Sequence, residues 1–345
     1  MKRAVLFSWL LLSICATACE ASDGTRSSGG DADTDTDTDT DTDTDADSDS
    51  DGDADGDGGV DTNATGGCSA IDILFVVDNS PSMAEEQANL ATNFPNFINV
   101  IEAYETPSGA PVSYRVGVTT VSVARTKFFQ KVMGMSVPAS CTGEDGVLQG
   151  QAACGLGEHP WLDGPVDNAG TTLGCMAAVG DSGSGYEMPL AALELALGDQ
   201  MAPGNPNEGF FPSDEDALLV IVIITDEDEC SIAENGTEVT TLSGTTDCDE
   251  ALSTGLYDLS DGAAFINDLA GGEGRYVVVG IADPGPGGCT SAFGDAVEAK
   301  RLVEFVSQFG EYGVMGNICD GDLSTSLTAA LEVIDMTCDE FPPVE

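Results

Sequence analysis

The chain has 345 residues and carries only 10 Lys and Arg against 61 Asp and Glu, for a formal net charge of -51. That length accommodates one large domain or two small ones. So acidic a chain does not engage nucleic acid through phosphates, which takes Lys and Arg to release counterions. Self-repulsion favours solubility, and an acidic partner must be bridged by a cation or met at a locally neutral patch.

Lys2 and Arg3 form a short basic region, and Val5 to Ile14 a mostly apolar one too short for a transmembrane helix. Ala16-Thr17-Ala18-Cys19 then resembles a bacterial lipobox, in which small residues precede a Cys that is lipidated as the new N-terminus. On this reading residues 1–18 are a lipoprotein signal peptide and Cys19 holds the chain at the bacterial outer membrane or cell surface. The alternative is an ordinary signal peptide cut near Ala18 to Ala21, and a secreted chain. No later segment is long and apolar enough to span a bilayer, so the expected anchor is lipid. Stable anchoring takes more than one acyl chain, which a multiply acylated Cys supplies.

Residues 19–67 read as a linker. Asp31 to Asp61 is largely an Asp-Thr, Asp-Ala and Asp-Ser repeat that cannot bury enough apolar surface to offset ordering entropy. Alternate Asp residues in an extended chain stand roughly 7 Å apart, inside the Debye length of about 8 Å. The charges therefore repel, and the segment is expected to be a disordered stalk with a reach on the order of 100 Å. Asp47, Asp49, Asp51 and Gly52 match the opening of an EF-hand loop, as do the registers starting at Asp51 and Asp53. All three place Gly58, Thr62 or Ala64 where a bidentate Glu is needed, and helical flanks are missing. Diffuse condensation of divalent cations is the expectation there.

Beyond Cys68, apolar runs alternate with helical patterns, the order of a doubly wound α/β fold with a mostly parallel central sheet flanked by helices. Strands are predicted at Ile71 to Val77, Tyr114 to Val121, Leu218 to Thr225 and Tyr276 to Ala282. Helices are predicted around Ala84 to Ala103, Glu187 to Leu197, Ala263 to Ala270, Val297 to Phe309 and Ser324 to Ile334. Two stretches, about Lys127 to Gly170 and Asp228 to Asp247, read as long irregular loops; such loops are uncommon unless functional or stapled.

The first of these strands ends in Asp78-Asn79-Ser80-Pro81-Ser82, which puts three hard oxygen side chains at alternate positions on the sheet's carboxyl edge. Open α/β sheets bind ligands at that edge. The simpler reading is that Asp78 and Ser82 cap the helix starting near Met83. The pattern resembles the D-x-S-x-S metal-ion-dependent adhesion site (MIDAS) of von Willebrand factor A (vWA) domains. The run Leu218 to Thr225, ending in Asp226-Glu227-Asp228-Glu229, is similar to that family's later strand ending in T-D. DNSPSM and ITDEDECS look like a group of bacterial surface vWA lipoproteins, and the resemblance spans about Ala70 to Cys338 of a domain taken as residues 68–345.

The resemblance implies that Asp78, Ser80, Ser82 and Asp226 hold Mg²⁺, or Mn²⁺ or Ca²⁺, and that the ion accepts an oxygen, typically a carboxylate, from a protein or extracellular-matrix partner. The family's middle-loop Thr is missing. The best counterpart is Gly180-Asp181-Ser182-Gly183-Ser184-Gly185, so Ser182 or Ser184 would serve, or Thr171 or Thr172 through a different loop path. A carboxylate from Asp181, or from Asp226 to Glu229, would weaken the ion's pull on a partner or create an adjacent calcium site.

Eleven cysteines and an export signal point to an oxidising compartment. With Cys15 removed and Cys19 lipidated, the remaining number is odd, so one thiol stays free or pairs between molecules. The resemblance suggests a Cys68–Cys338 clip, since some vWA domains join their neighbouring termini. A Cys230–Cys248 bond would close the loop after the T-D strand.

Enzymatic readings find little support. Haloacid-dehalogenase-type phosphatases also follow a strand with Asp but place a second Asp two residues on, where this chain has Ser80. The single histidine, His159, lies in a Gly-rich loop without a neighbouring G-x-S-x-G. Gly285 to Gly288 has no following Lys for a phosphate loop. The remaining rival is a structural surface protein with a vestigial metal site.

Overall fold

A computed structural model describes residues 67–106, 109–132, 135–150, 152–211, 217–233, 238–239, 255–320 and 323–341. The lipobox, the acidic repeat and Cys248 lie outside them. In chain order the elements are β1 (Ala70–Val77), α1 (Ala84–Ile101), β2 (Ser113–Thr120), β3 (Arg125–Val132), β4 (Met135–Cys141), β5 (Leu162–Gly164) and α2 (Ala169–Met176). There follow α3 (Pro189–Leu197), β6 (Ala217–Ile224), β7 (Glu238–Val239), α4 (Leu259–Ala270), β8 (Tyr276–Ala282), β9 (Cys289–Ser291), β10 (Gly294–Ala296), α5 (Lys300–Ser307), β11 (Gly313–Asn317) and α6 (Ser324–Asp339).

The main sheet has the order β11-β8-β6-β1-β2-β5. All neighbours are parallel except β5, which runs antiparallel to β2 at the edge. Central strands of such a sheet are covered on both faces, so they must be apolar throughout. Every residue of β6 and β8 is buried, as is β1 from Ile71 onward. The pleat divides them between two cores. Ile71, Ile73, Phe75 and Val77 pack with Leu90, Phe94, Phe97 and Ile98 of α1 and with residues of α2 and α6. Leu74 and Val76 face the other way, toward α3, α4 and α5. Phe75 anchors the first core, edge-on to Phe94 and Phe97 with ring centroids 5.0 and 5.4 Å away. Each fully buried Val, Leu, Ile or Phe contributes roughly 1.5–3 kcal/mol, so the ends of β1 and β6 are fixed points.

From β1 the chain winds to β2 on one side, and from β6 to β8 on the other. The strand order reverses between the adjacent strands β1 and β6. A crevice opens outside the carboxyl ends of the strands at such a switch point. Both D-bearing loops of the sequence emerge there.

The stretch Lys127 to Gly170 is not an irregular loop. Strands β3 and β4 pair antiparallel in a separate sheet of order β4-β3-β7, and β5 joins the main sheet. Pro138 argues against a strand in the sequence, yet β4 is an edge strand, where a missing N–H is tolerated. Of the stretch Asp228 to Asp247, residues 228–233 and the short β7 are described. The helix expected over Val297 to Phe309 is shorter, Lys300–Ser307, because β10 and a turn occupy the preceding chain.

Disulfides join Cys68 to Cys338, Cys154 to Cys175 and Cys289 to Cys319. The first links the start of β1 to the end of α6, and the last ties the β9–β10 hairpin to the turn after β11. Cys141 and Cys230 are disulfide-bonded as well. Among the described residues no helix is long and apolar enough to cross a membrane.

Candidate metal centre

Asp78 continues the ladder for one residue past β1, its N–H donating to the Ile224 carbonyl at 2.9 Å. The strand then stops, because Asp78 Oδ1 accepts the Ser80 N–H at 2.7 Å and turns the chain. Asp78 Oδ2 accepts the Thr225 hydroxyl at 2.7 Å, which ties the loop after β1 to the loop after β6. Gln87 of α1 donates to the Asp78 carbonyl at 2.8 Å.

Ser80 precedes a 3-10 turn over Pro81–Met83, and its side chain makes no capping bond there. Its Oγ lies 2.9 Å from Ser82 Oγ instead. Of the two residues in the capping alternative, Asp78 spends Oδ1 on the Ser80 N–H, and Ser82 Oγ lies against Ser80 Oγ. Asp226 is the first residue past Thr225, and its carboxyl lies within reach of Ser82 and Asp78. Asp78, Ser80 and Asp226 are buried, while Ser82 is exposed. The structure thus brings Asp78, Ser80, Ser82 and Asp226 together at one point.

The middle loop approaches the same point differently. The Gly183 N–H donates to the Asn79 carbonyl at 2.7 Å, and a Cβ on Gly183 would stand 2.2 Å from Asn79 Oδ1, so only glycine fits. Ser122 donates its hydroxyl to Asn79 Oδ1 at 2.8 Å and accepts the Ser184 N–H at 2.8 Å. Ser184 Oγ accepts the Tyr186 N–H at 3.1 Å. Ser184 is buried within this brace, and Ser182 is exposed on the loop. Thr171 and Thr172 lie in α2, across the sheet's other core.

An acidic residue that the sequence reading left out lies beside Glu227. Glu187, just before α3, is 2% exposed, and its carboxyl lies within hydrogen-bonding reach of Glu227. Buried polar atoms are rarely left without a partner, yet Glu187 Oε1, Asp226 Oδ1 and Glu86 Oε2 have none. Burial, and next the neighbouring carboxylates Asp78 and Glu227, push the Asp226 carboxyl up to about 8. Burial raises Asp78 and Glu227 as well, and carries Glu187 well above the usual carboxylate range, with Glu227 and Asp78 adding to the effect.

The rest of the acidic run does other work. Asp228 Oδ1 accepts the Arg301 and Leu302 N–H groups at 2.9 and 3.1 Å, capping α5. Glu229 Oε2 accepts the Leu190 N–H at 3.1 Å and the Ser231 hydroxyl at 3.0 Å, holding the start of α3. Asp226 and Glu227 face the site, and Asp228 and Glu229 face the helices.

Beside the site lies a cleft of about 360 Å³ lined by Ser82, Asp226, Glu227, Thr290, Asp295 and Val297. Among the described residues, no group of three or more His, Cys, Asp and Glu side chains is arranged as a metal cage on its own. The candidate centre is instead a mixture of carboxylates and hydroxyls. Oxygen-only donors of this kind suit hard divalent cations, and the orphaned Asp226 Oδ1 is an atom such an ion would satisfy.

No protein-family model matches the sequence, and no curated protein matches it. Solved structures resemble the chain at low identity. Proximal thread matrix protein 1 from the mussel byssus is 15% identical, with a TM-score of 0.39, over 78% of this chain and 46% of that one. The same mussel protein is also known with a zinc-occupied MIDAS motif. The PilB minor pilin of Streptococcus sanguinis is 12% identical, with a TM-score of 0.40, over 80% and 64% of the two chains. The pilus adhesin SpaC of Lactobacillus rhamnosus GG is 16% identical, with a TM-score of 0.36, over 77% and 30%. The chain spans about half of the mussel protein's length and less than a third of SpaC. At this level of likeness no role passes from those proteins to this chain.

Proposed function

We propose that the chain is a surface-displayed binding module of the vWA type that engages a protein or extracellular-matrix partner through a divalent cation at the carboxyl edge of its sheet. The observation that carries this reading is the convergence of Asp78, the Ser80–Ser82 hydroxyl pair and the orphaned Asp226 Oδ1 at the switch point between β1 and β6. Asp78, Ser80, Ser82 and Asp226 would hold the ion. Bound there, Mg²⁺, Mn²⁺ or Ca²⁺ supplies a coordination position to an oxygen of the partner, a carboxylate being the strongest hard donor.

The chain's own residues do the rest. Thr225 orients Asp78 through its hydroxyl, the Asn79–Ser122–Ser184 brace fixes the middle loop, and exposed Ser82 opens the site onto the cleft. A cation also resolves the charge problem of a chain at -51 meeting an acidic partner. Export, lipidation at Cys19 and the stalk of residues 19–67 place the module outside the cell on this reading, in keeping with its disulfides. A catalytic role is not proposed.

The test is binding of the full chain to a panel of immobilised matrix and cell-surface proteins in Mg²⁺, in Ca²⁺ and in EDTA. Binding that EDTA abolishes and that Ser82→Ala weakens at least tenfold supports the reading. Cation-independent binding, or none across the panel, favours the structural surface protein with a vestigial site.

A further inference from the structure

The hairpin β9–β10 contributes Thr290, Asp295 and Ala296 to the cleft beside the candidate centre. Along and beside β10 burial alternates: Gly294 and Ala296 are buried, whereas Phe293, Asp295 and Val297 are exposed. The last three therefore share one face of the strand. Phe293 and Val297 are 42% and 37% exposed, large apolar side chains left open to solvent on either side of a carboxylate. The hairpin is firmly held. The Cys289–Cys319 disulfide ties it to the turn after β11, the Phe293 N–H donates to Ser291 Oγ at 3.0 Å, and the Val297 N–H donates to the Asp226 carbonyl at 2.9 Å. A surface in place before its partner arrives lowers the ordering cost of binding.

The charge of the cleft is one-sided. Asp226, Glu227 and Asp295 line it, and among the described residues no Lys or Arg does. Asp226 is 2% exposed, and its Oδ1 has no hydrogen-bond partner. Against Gly294 lies the Glu86 carboxyl, buried and with Oε2 unpartnered. A divalent ion held by Asp78 and Asp226 offsets those two carboxylates and leaves Glu227 and Asp295 without a cation in the lining. A carboxylate has about four acceptor sites, so Asp226 can hold an ion and still accept an N–H. Resting on the binding-module reading above, we propose that the cleft takes an arginine side chain of the partner, its guanidinium set among Asp226, Glu227 and Asp295 and its aliphatic stem along Phe293 and Val297. A guanidinium brings several N–H donors in a planar fork, is weakly hydrated and packs on aromatic faces. Its stem covers apolar surface that otherwise faces water. A purely apolar segment would leave the carboxylates desolvated without partners, and an acidic one would be repelled. The partner thus offers an oxygen to the ion and a cation to the cleft.

The experiment is an amide NMR titration of the isotopically labelled full chain, at an ionic strength that screens the acidic repeat. The probes are blocked Gly-Arg-Gly, Gly-Lys-Gly and Gly-citrulline-Gly peptides, each added in EDTA and in saturating Mg²⁺ to wild type, Asp295→Asn and Phe293→Ala. Mg²⁺ alone is titrated in parallel and read at the amides of Asp78 to Ser82. The arginine peptide is expected to give saturable shifts at the amides of Gly287 to Val297 that persist in Mg²⁺. Its affinity should fall about tenfold in Asp295→Asn and about threefold in Phe293→Ala. The lysine peptide should bind about threefold more weakly than the arginine peptide, and the uncharged citrulline peptide should leave these amides unmoved. Both variants should respond to Mg²⁺ as wild type does. No saturable shift at the hairpin, equal shifts with citrulline, or undiminished affinity in Asp295→Asn would overturn the inference, and a Mg²⁺ response at Asp78 to Ser82 would leave the cation site standing. Equal lysine and arginine affinity would overturn the choice of arginine. Displacement of the arginine peptide by Mg²⁺ would overturn simultaneous engagement of ion and cleft. Arginine binding without any Mg²⁺ response would support the cleft and overturn the cation centre instead.

Discussion

Thr225 donates its hydroxyl to Asp78 Oδ2 at 2.7 Å across the junction of the two central strands. The Thr225 hydroxyl oxygen also accepts the Glu227 N–H at 3.1 Å, so one side chain sets the angle of Asp78 and the path of the Asp226–Glu227 loop. Thr225→Val keeps the shape and removes both roles. A buried hydrogen bond to a charged group is worth about 1.5–3 kcal/mol. The variant is predicted to lose stability in that range in urea titrations and to bind divalent cations at least tenfold more weakly.

Gly183 tests the brace behind the site. A methyl group there would stand 2.2 Å from Asn79 Oδ1, itself held by Ser122. Gly183→Ala is predicted to cost about 1–3 kcal/mol, the usual range for overpacking, read as a lower denaturation midpoint. A neutral result would show that the loop shifts without effect on the site.

Acidity should stabilise the cation-free domain. Asp226 is pushed up to about 8 and Glu229 to about 7, both by burial first, against ordinary values of 3.8 and 4.5. Between those limits the folded state binds more protons than the unfolded one, so unfolding free energy falls as pH rises. In EDTA the thermal midpoint is predicted to drop from about pH 5 to about pH 8. Saturating cation displaces the protons at Asp226 and its neighbours and should flatten that slope. A midpoint in EDTA that rises over the same interval would contradict the electrostatic description of the site.

The Cys68–Cys338 bond closes almost the whole described chain, with a sequence separation of 270. Losing such a cross-link costs about 2–5 kcal/mol. Replacing both cysteines by Ser is predicted to lower the unfolding free energy by that amount while leaving cation affinity within about twofold, because the bond lies at the opposite end of β1 from Asp78.

The long β-branched runs made the four inner strands legible, since strands buried on both faces leave no other pattern. Asp78 and Asp226 were legible with them, because each ends such a run. Strand β11, with Gly313 and Gly316 in five residues, and β5, of three residues, carry no period to read. In α2, Gly170, Thr171, Thr172 and Gly174 hide a helix that approaches α1 closely; a Cβ on Gly170 would lie 2.7 Å from the Pro95 Cα. Glu187 looked like the polar first residue of a helix, and only the packing shows it buried. Likewise nothing in DEDE separates the pair facing the site from the pair that caps α5 and α3, since that division depends on where Arg301 and Leu190 arrive in space.

The most direct test of the account is an anomalous difference map from crystals of the protein soaked in Mn²⁺. The prediction is one strong peak at the carboxyl edge between β1 and β6, within bonding distance of Ser80 Oγ and Ser82 Oγ and beside Asp78 and Asp226. A folded domain whose map shows no peak at those hydroxyls, or manganese only elsewhere on the acidic surface, would contradict it.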